Sequence, residues 1–177
     1  MKSQKPNTGA VALVALCNEY CRALDTAQEA EPADFYRTLL RLLPRIYITA
    51  FDLLPDGVSG EGESTGAIYG TMEEEEYHAL RDRLAAVFGE HDTYLDTFSE
   101  DMKYSDTPIA ASLSEQLADL YQVFFDFIDT VREWPDDDRS EVYAEMKYRF
   151  NLYWSENLCN ALRVLNSLYQ KEAYSEE

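Results

Sequence analysis

Residues 109–134 read IAASLSEQLADLYQVFFDFIDTVREW, and the spacing within them decides the fold. Leu113, Leu117, Leu120, Phe124, Phe127, Val131 and Trp134 recur at alternating steps of four and three. Glu115, Asp119, Gln122, Asp126, Asp129 and Glu133 repeat on the opposite side with the same rhythm. This is the signature of a long amphipathic helix with a bundle-type seam. Thr107-Pro108 marks its expected start, and Trp134-Pro135 with Asp136, Asp137 and Asp138 marks a turn and the next cap.

Outward from this helix the chain reads as helix throughout. Helix one is expected from Asn7 or Thr8 to about residue 27, with Leu13, Leu16, Cys17, Tyr20, Cys21 and Leu24 inward. Helix two, expected over 32–54, is apolar on most sides and reads as the central helix. Pro44 inside it is expected to kink or split it. Thr71 and Glu74 form a capping-box pattern for a helix over 72–88, which Gly89 ends. Residues 91–105 are readable as a short helix or as a loop on the core. The last helix is expected over 138–171, with Val142, Met146, Phe150, Tyr153, Trp154, Leu158, Leu162, Leu165, Leu168 and Tyr169 inward. No segment reads as a strand. The expectation is an all-α, up-and-down bundle of four long helices plus one or two short ones, forming one domain over 1–177. Residues 1–6 and 172–177 are expected to be disordered. The 55–70 stretch holds five of the chain's seven glycines, so it is expected to be a flexible acidic loop.

The C-terminal half also has a familiar pattern. Leu117-Ala-Asp-Leu-Tyr121, the turn at Trp134, Tyr148-Arg-Phe-Asn-Leu-Tyr-Trp154 and Asn160-Ala-Leu-Arg-Val-Leu165 resemble the bacterial domain-of-unknown-function 5063 family. Asn18-Glu-Tyr-Cys21 and Leu39-Leu-Arg-Leu-Leu-Pro44 fit the same pattern. The resemblance implies a helical bacterial protein and carries no established activity. Histidines flank the tryptophan in many members. Here the positions read Tyr153-Trp154-Ser155-Glu156-Asn157, so any metal or proton-transfer role resting on such histidines is missing from this chain.

Charge narrows the functional classes. The net charge is −19, from 34 acids and 15 Lys and Arg residues, which repels free nucleic acid and anionic bilayers and attracts basic partners. Residues 55–106 carry 14 acids against Arg81, Arg83 and Lys103, which makes this stretch the best interaction-surface candidate. Glu61, Glu63, Glu73, Glu74, Glu75 and Glu76 are its candidate partner-facing residues; the plainer alternative is a solvated surface. Arg37, Arg41 and Arg45 recur every four residues as a basic ridge. With Tyr153 and Trp154 they are the candidate ligand-binding or anion-binding set. The alternative is that these arginines pair with acids such as Asp119 and Asp126.

Other chemistry has little footing. Glu75 and His78 form one E-x-x-H pair, whereas a di-iron bundle needs two. Cys17, Cys21 and Cys159 make no disulfide or metal spacing. Phosphate-loop, nucleophile-elbow and calcium-loop motifs are missing from the sequence. No catalytic residue, metal or cofactor is assigned. The apolar run 9–17 passes directly into Asn18, Glu19 and Arg22, which suits an amphipathic helix rather than an export signal. The cytoplasm is the expected location, with no membrane partner and an oligomeric state that the sequence leaves open. A non-enzymatic interaction module offering an acidic face to a basic protein is the leading expectation. An inter-helix anion site on the arginine ridge, with or without enzymatic activity, is the second.

Overall fold

The computed structural model describes residues 8–53, 63–96, 103–104, 106–135 and 139–174. Helix α1 spans Thr8–Asp25 and includes the apolar run just discussed. A 3-10 turn at Ala27–Glu29 leads into α2, Pro32–Phe51. Pro32 occupies the first turn, where its missing N–H costs nothing. Pro44 does not split α2. Its ring is on the exposed side, so the Leu40 carbonyl that loses an amide partner there stays within reach of solvent. Lys147 finishes the helix by donating from Nζ to the Ala50 carbonyl at 2.9 Å and also to that of Phe51.

Helix α3 spans Glu74–Phe88, two residues later than the Thr71 pattern suggested. Glu73 and Glu76 make the capping box instead. Gly89 ends the helix at φ 55°, in the left-handed region open to glycine. The fold is predominantly helical, as expected, but the reading that no segment is a strand is corrected here. Thr93–Asp96 forms a strand, β1, antiparallel to β2 at Ile109–Ser112, with Thr93 opposite Ser112 and Asp96 opposite Ile109. Helix α4 therefore begins at Leu113 rather than near Ile109. Asp92 explains the shift. Its carboxylate accepts from the Ser114 amide at 2.7 Å and from the Ser112 and Ser114 hydroxyls at 3.0 and 2.8 Å. Ser112 itself caps the Glu115 amide.

Helix α4, Leu113–Glu133, buries thirteen residues, against seven in α2. It touches α1, α3, α5 and α6, so α4 rather than α2 is the central helix. The buried apolar side chains form one contiguous cluster. An edge-to-face aromatic chain crosses that cluster. Tyr20 of α1 meets Phe124 of α4 at 5.1 Å, Phe124 meets Trp154 at 5.3 Å, Trp154 meets Phe150 at 4.7 Å, and Phe150 meets Tyr47 of α2 at 5.2 Å.

The C-terminal helix is interrupted. Helix α5, Arg139–Arg149, passes through a π-helical turn at Phe150–Trp154 into α6, Ser155–Tyr174. The helix thus continues through Glu172–Tyr174. The inward residues Val142, Met146, Phe150, Trp154 and Leu158 are spaced by four throughout. In an α-helix each such step overshoots the face by about 40°, so four steps would swing the stripe off the core. One wide turn removes about 100° of that drift and holds Trp154 and Leu158 inward.

Three residues of this turn are exposed: Asn151, Tyr153, which was expected inward, and Leu152, at 63%. Deletion of Leu152 is expected to convert the turn to regular helix and keep stability within about 2 kcal/mol of the parent. Deleting the exposed Arg41, where no wide turn absorbs the loss, is expected to abolish cooperative unfolding. Denaturant titration of both variants checks this, and equal damage from the two deletions would contradict it.

Candidate functional site

The segment 63–73 links the bundle to α3, and two buried carboxylates hold it. Glu145 of α5 is 2% exposed and Asp126 of α4 is 5% exposed. Glu145 accepts from the Ser64 hydroxyl at 2.8 Å, the Thr65 amide at 2.7 Å, the Gly66 amide at 3.1 Å and Arg149 Nε at 2.8 Å. Gly66 adopts φ 66°, which lets successive amides turn toward one anion. Arg149 also donates to the Ile68 carbonyl at 2.6 Å. Burial alone would raise the Glu145 carboxyl. Arg149, Ser64 and the Gly66 and Thr65 amides outweigh it and hold the group below its usual 4.5.

Asp126 performs the same task further along. It accepts from the Thr71 amide at 2.9 Å, the Thr71 hydroxyl at 3.2 Å and the Met72 amide at 3.0 Å. These bonds are why Thr71 does not cap α3. Between the two clasps, Ala67 and Ile68 are buried, and the Tyr69 hydroxyl accepts from Trp134 Nε1 at 2.7 Å. The second half of the expected flexible loop is therefore fastened down as a strap. Its first half, with Glu61, lies outside the described residues.

The strap delivers the acidic start of α3. Glu73, Glu74, Glu75 and Glu76 are all exposed, as is Glu63. Tyr77, one residue on, anchors this turn to α4 by donating to Asp119 at 2.7 Å. Burial and Asp119 together raise the Tyr77 phenol. His78 and Glu74 make an exposed contact at 3.4 Å. The consecutive carboxylates thus stand on a helix pinned at Met72 and Tyr77.

The arginine ridge is placed differently from the inter-helix pocket expected of it. Arg37 is about half exposed, bonds Asp34 at 2.5 Å and lies over the Tyr169 ring at 5.6 Å. Arg41 and Arg45 are exposed. Asp119 and Asp126 are engaged by Tyr77 and the strap rather than by these arginines. Trp154 is fully buried in the aromatic chain, and Tyr153 lies beside Arg149 on the strap side. The five residues do not converge on one cavity. Cys17 and Cys21 are buried, and burial raises their thiols, that of Cys21 to about 12, so they pack as small apolar groups. Among the described residues no cluster of three or more His, Cys, Asp or Glu could hold a metal ion, and no helix is long and apolar enough to cross a membrane.

Glu145 and Asp126 are structurally decisive residues that periodicity alone does not single out. Glu145 carries a faint signal, because it falls beside Val142 and Met146 on the inward stripe with Arg149 four residues on.

The chain belongs to the family described as Domain of unknown function (DUF5063), whose model matches residues 4–171. The crystal structure of protein BF1032 from Bacteroides fragilis is similar, with 26% identity over 92% of each chain and a TM-score of 0.73. Comparison with curated proteins finds no match.

Because the folded Glu145 carboxyl titrates below its unfolded value, the stability it contributes is present above about pH 5 and lost as pH falls through the folded value. The variant E145Q is expected to be less stable than the parent at pH 7 by about 2–4 kcal/mol, since Arg149 loses its buried partner. The gap is expected to narrow near pH 3. Unfolding free energies measured at both pH values check this, and a gap independent of pH would contradict it.

Proposed function

We propose that this member of the DUF5063 family is a non-enzymatic interaction module of the bacterial cytoplasm that presents an acidic face to a basic protein. The observation carrying this reading is the run Glu73–Glu76, four exposed carboxylates on a helix start held rigidly by Asp126 and Asp119. A charged face that is already ordered loses little conformational entropy on binding. Glu63 and Glu115 are exposed acids on the adjoining strap and α4 and add to the same field. Acids in the first turn of α3 also complement the positive end of its macrodipole.

The second reading, an anion site on Arg37, Arg41 and Arg45 with Tyr153 and Trp154, has weaker support. An exposed ridge in water gains little from each ion pair, and Trp154 is committed to the core.

A lysine-rich and arginine-rich peptide is the direct probe. Its affinity is expected to fall at least about tenfold between about 50 and 500 mM salt. The double variant E74Q/E75Q spares the Glu73–Glu76 capping box and is expected to weaken binding about three- to tenfold while moving the melting temperature by no more than about 5 °C. Titration calorimetry reads both effects. Salt-independent binding, or an E74Q/E75Q variant that binds like the parent, would overturn the proposal.

A further inference from the structure

A concave site lies between β1 and α6, at the C-terminal end of α3 and so away from the acidic face at its start. It is a cleft of about 250 Å³. A dry cavity of about 150 Å³ holds benzene, so this cleft has room for one flat ring and a polar substituent. Its lining is half apolar. Leu168 of α6 is buried there, and the Tyr94 ring of β1 faces it.

The charge of the cleft runs against that of the chain. Arg163 and Lys171 line it from α6 and His91 from the turn before β1, against Glu90 as the acid. Glu90 is largely exposed and its carboxylate is 3.9 Å from His91 Nε2. Arg163 and Lys171 are eight residues apart, hence on one face of α6 about 12 Å apart along its axis, with Ser167 midway. A planar guanidinium and an ammonium flanking a hydroxyl suit the several oxygens of a carboxylate or phosphate monoester. Both cations also have partners within the chain, so an anion would share or exchange those contacts. Affinity is therefore modest, with a dissociation constant on the order of 0.1–1 mM.

We propose that the β1–α6 cleft binds a small organic anion, a carboxylate or phosphate monoester carried on a single ring or short apolar chain. Arg163 and Lys171 hold the charged end, and Tyr94 and Leu168 cover the apolar body. This site is independent of the acidic face, and it gives the chain surfaces of opposite sign for ligands of different kinds.

Amide NMR titration with phenyl phosphate tests it, with phenol as the neutral control and inorganic phosphate as the charge-only control. Phenyl phosphate is expected to shift the amides of Thr93, Tyr94, Ser167 and Leu168, and phenol and phosphate to bind at least about fivefold more weakly. R163Q and K171Q are each expected to weaken binding about threefold or more, with R163K losing less than R163Q because it keeps the charge without the planar fork. L168A is expected to weaken phenyl phosphate more than inorganic phosphate. If R163Q perturbs the local fold, R163K and L168A still carry the test. Three outcomes would overturn the site: no shifts at about 10 mM probe, shifts confined to Arg41 and Arg45, or phenol binding as tightly as phenyl phosphate.

Discussion

A carboxylate withdrawn from water must be given donors, and, Arg149 aside, Asp126 and Glu145 obtain theirs from a segment that has no helix or strand of its own. Without that segment, both side chains would be buried anions without adequate partners, which is among the costlier defects a fold can carry. With it, the amides of Thr65, Gly66, Thr71 and Met72 gain acceptors that no regular ladder supplies. Each side satisfies the other. The bargain positions α3, because the strap ends where Glu73 begins the capping box. The placement of the acidic face therefore follows from hydrogen bonding in the interior rather than from surface charge.

The apolar core does a different task. The chain of rings from Tyr20 through Phe124, Trp154 and Phe150 to Tyr47 joins α1, α4, the π turn and α2. Shape complementarity among those rings sets how the long helices meet. Tyr20 also donates to the Leu117 carbonyl at 2.9 Å, which removes the one polar atom that burial of its ring would otherwise strand. The family to which the chain belongs and the similar fold of BF1032 fit this helical plan, and neither carries an assigned activity.

How legible each part was follows from how local its cause is. The seam of α4 is written in its own residues. The π turn was read as continuous helix, although five inward residues at steps of four cannot follow one α-helical face. The strand β2 was illegible because Ile109-Ala-Ala-Ser continues a helical composition. The deciding group, Asp92, is twenty residues from Ser112. Asp126 fell on a polar stripe that reads as solvent-facing, and its burial depends on a glycine-rich segment that reads as loose. The arginine spacing was visible, but which side of α2 faces water is settled by α1 and α6 covering the others. The cleft depends on a strand and a helix some seventy residues apart, and no local pattern announces it.

Native-state hydrogen exchange at the Thr65, Gly66, Thr71 and Met72 amides tests the central claim most directly. These four amides donate to carboxylates, so any protection they show reports the clasps themselves. The account requires them to exchange far more slowly than the exposed, unbonded amides of a free loop. Exchange at free-loop rates, with the helices still protected, would show that the strap is not held and that the acidic face has no fixed platform.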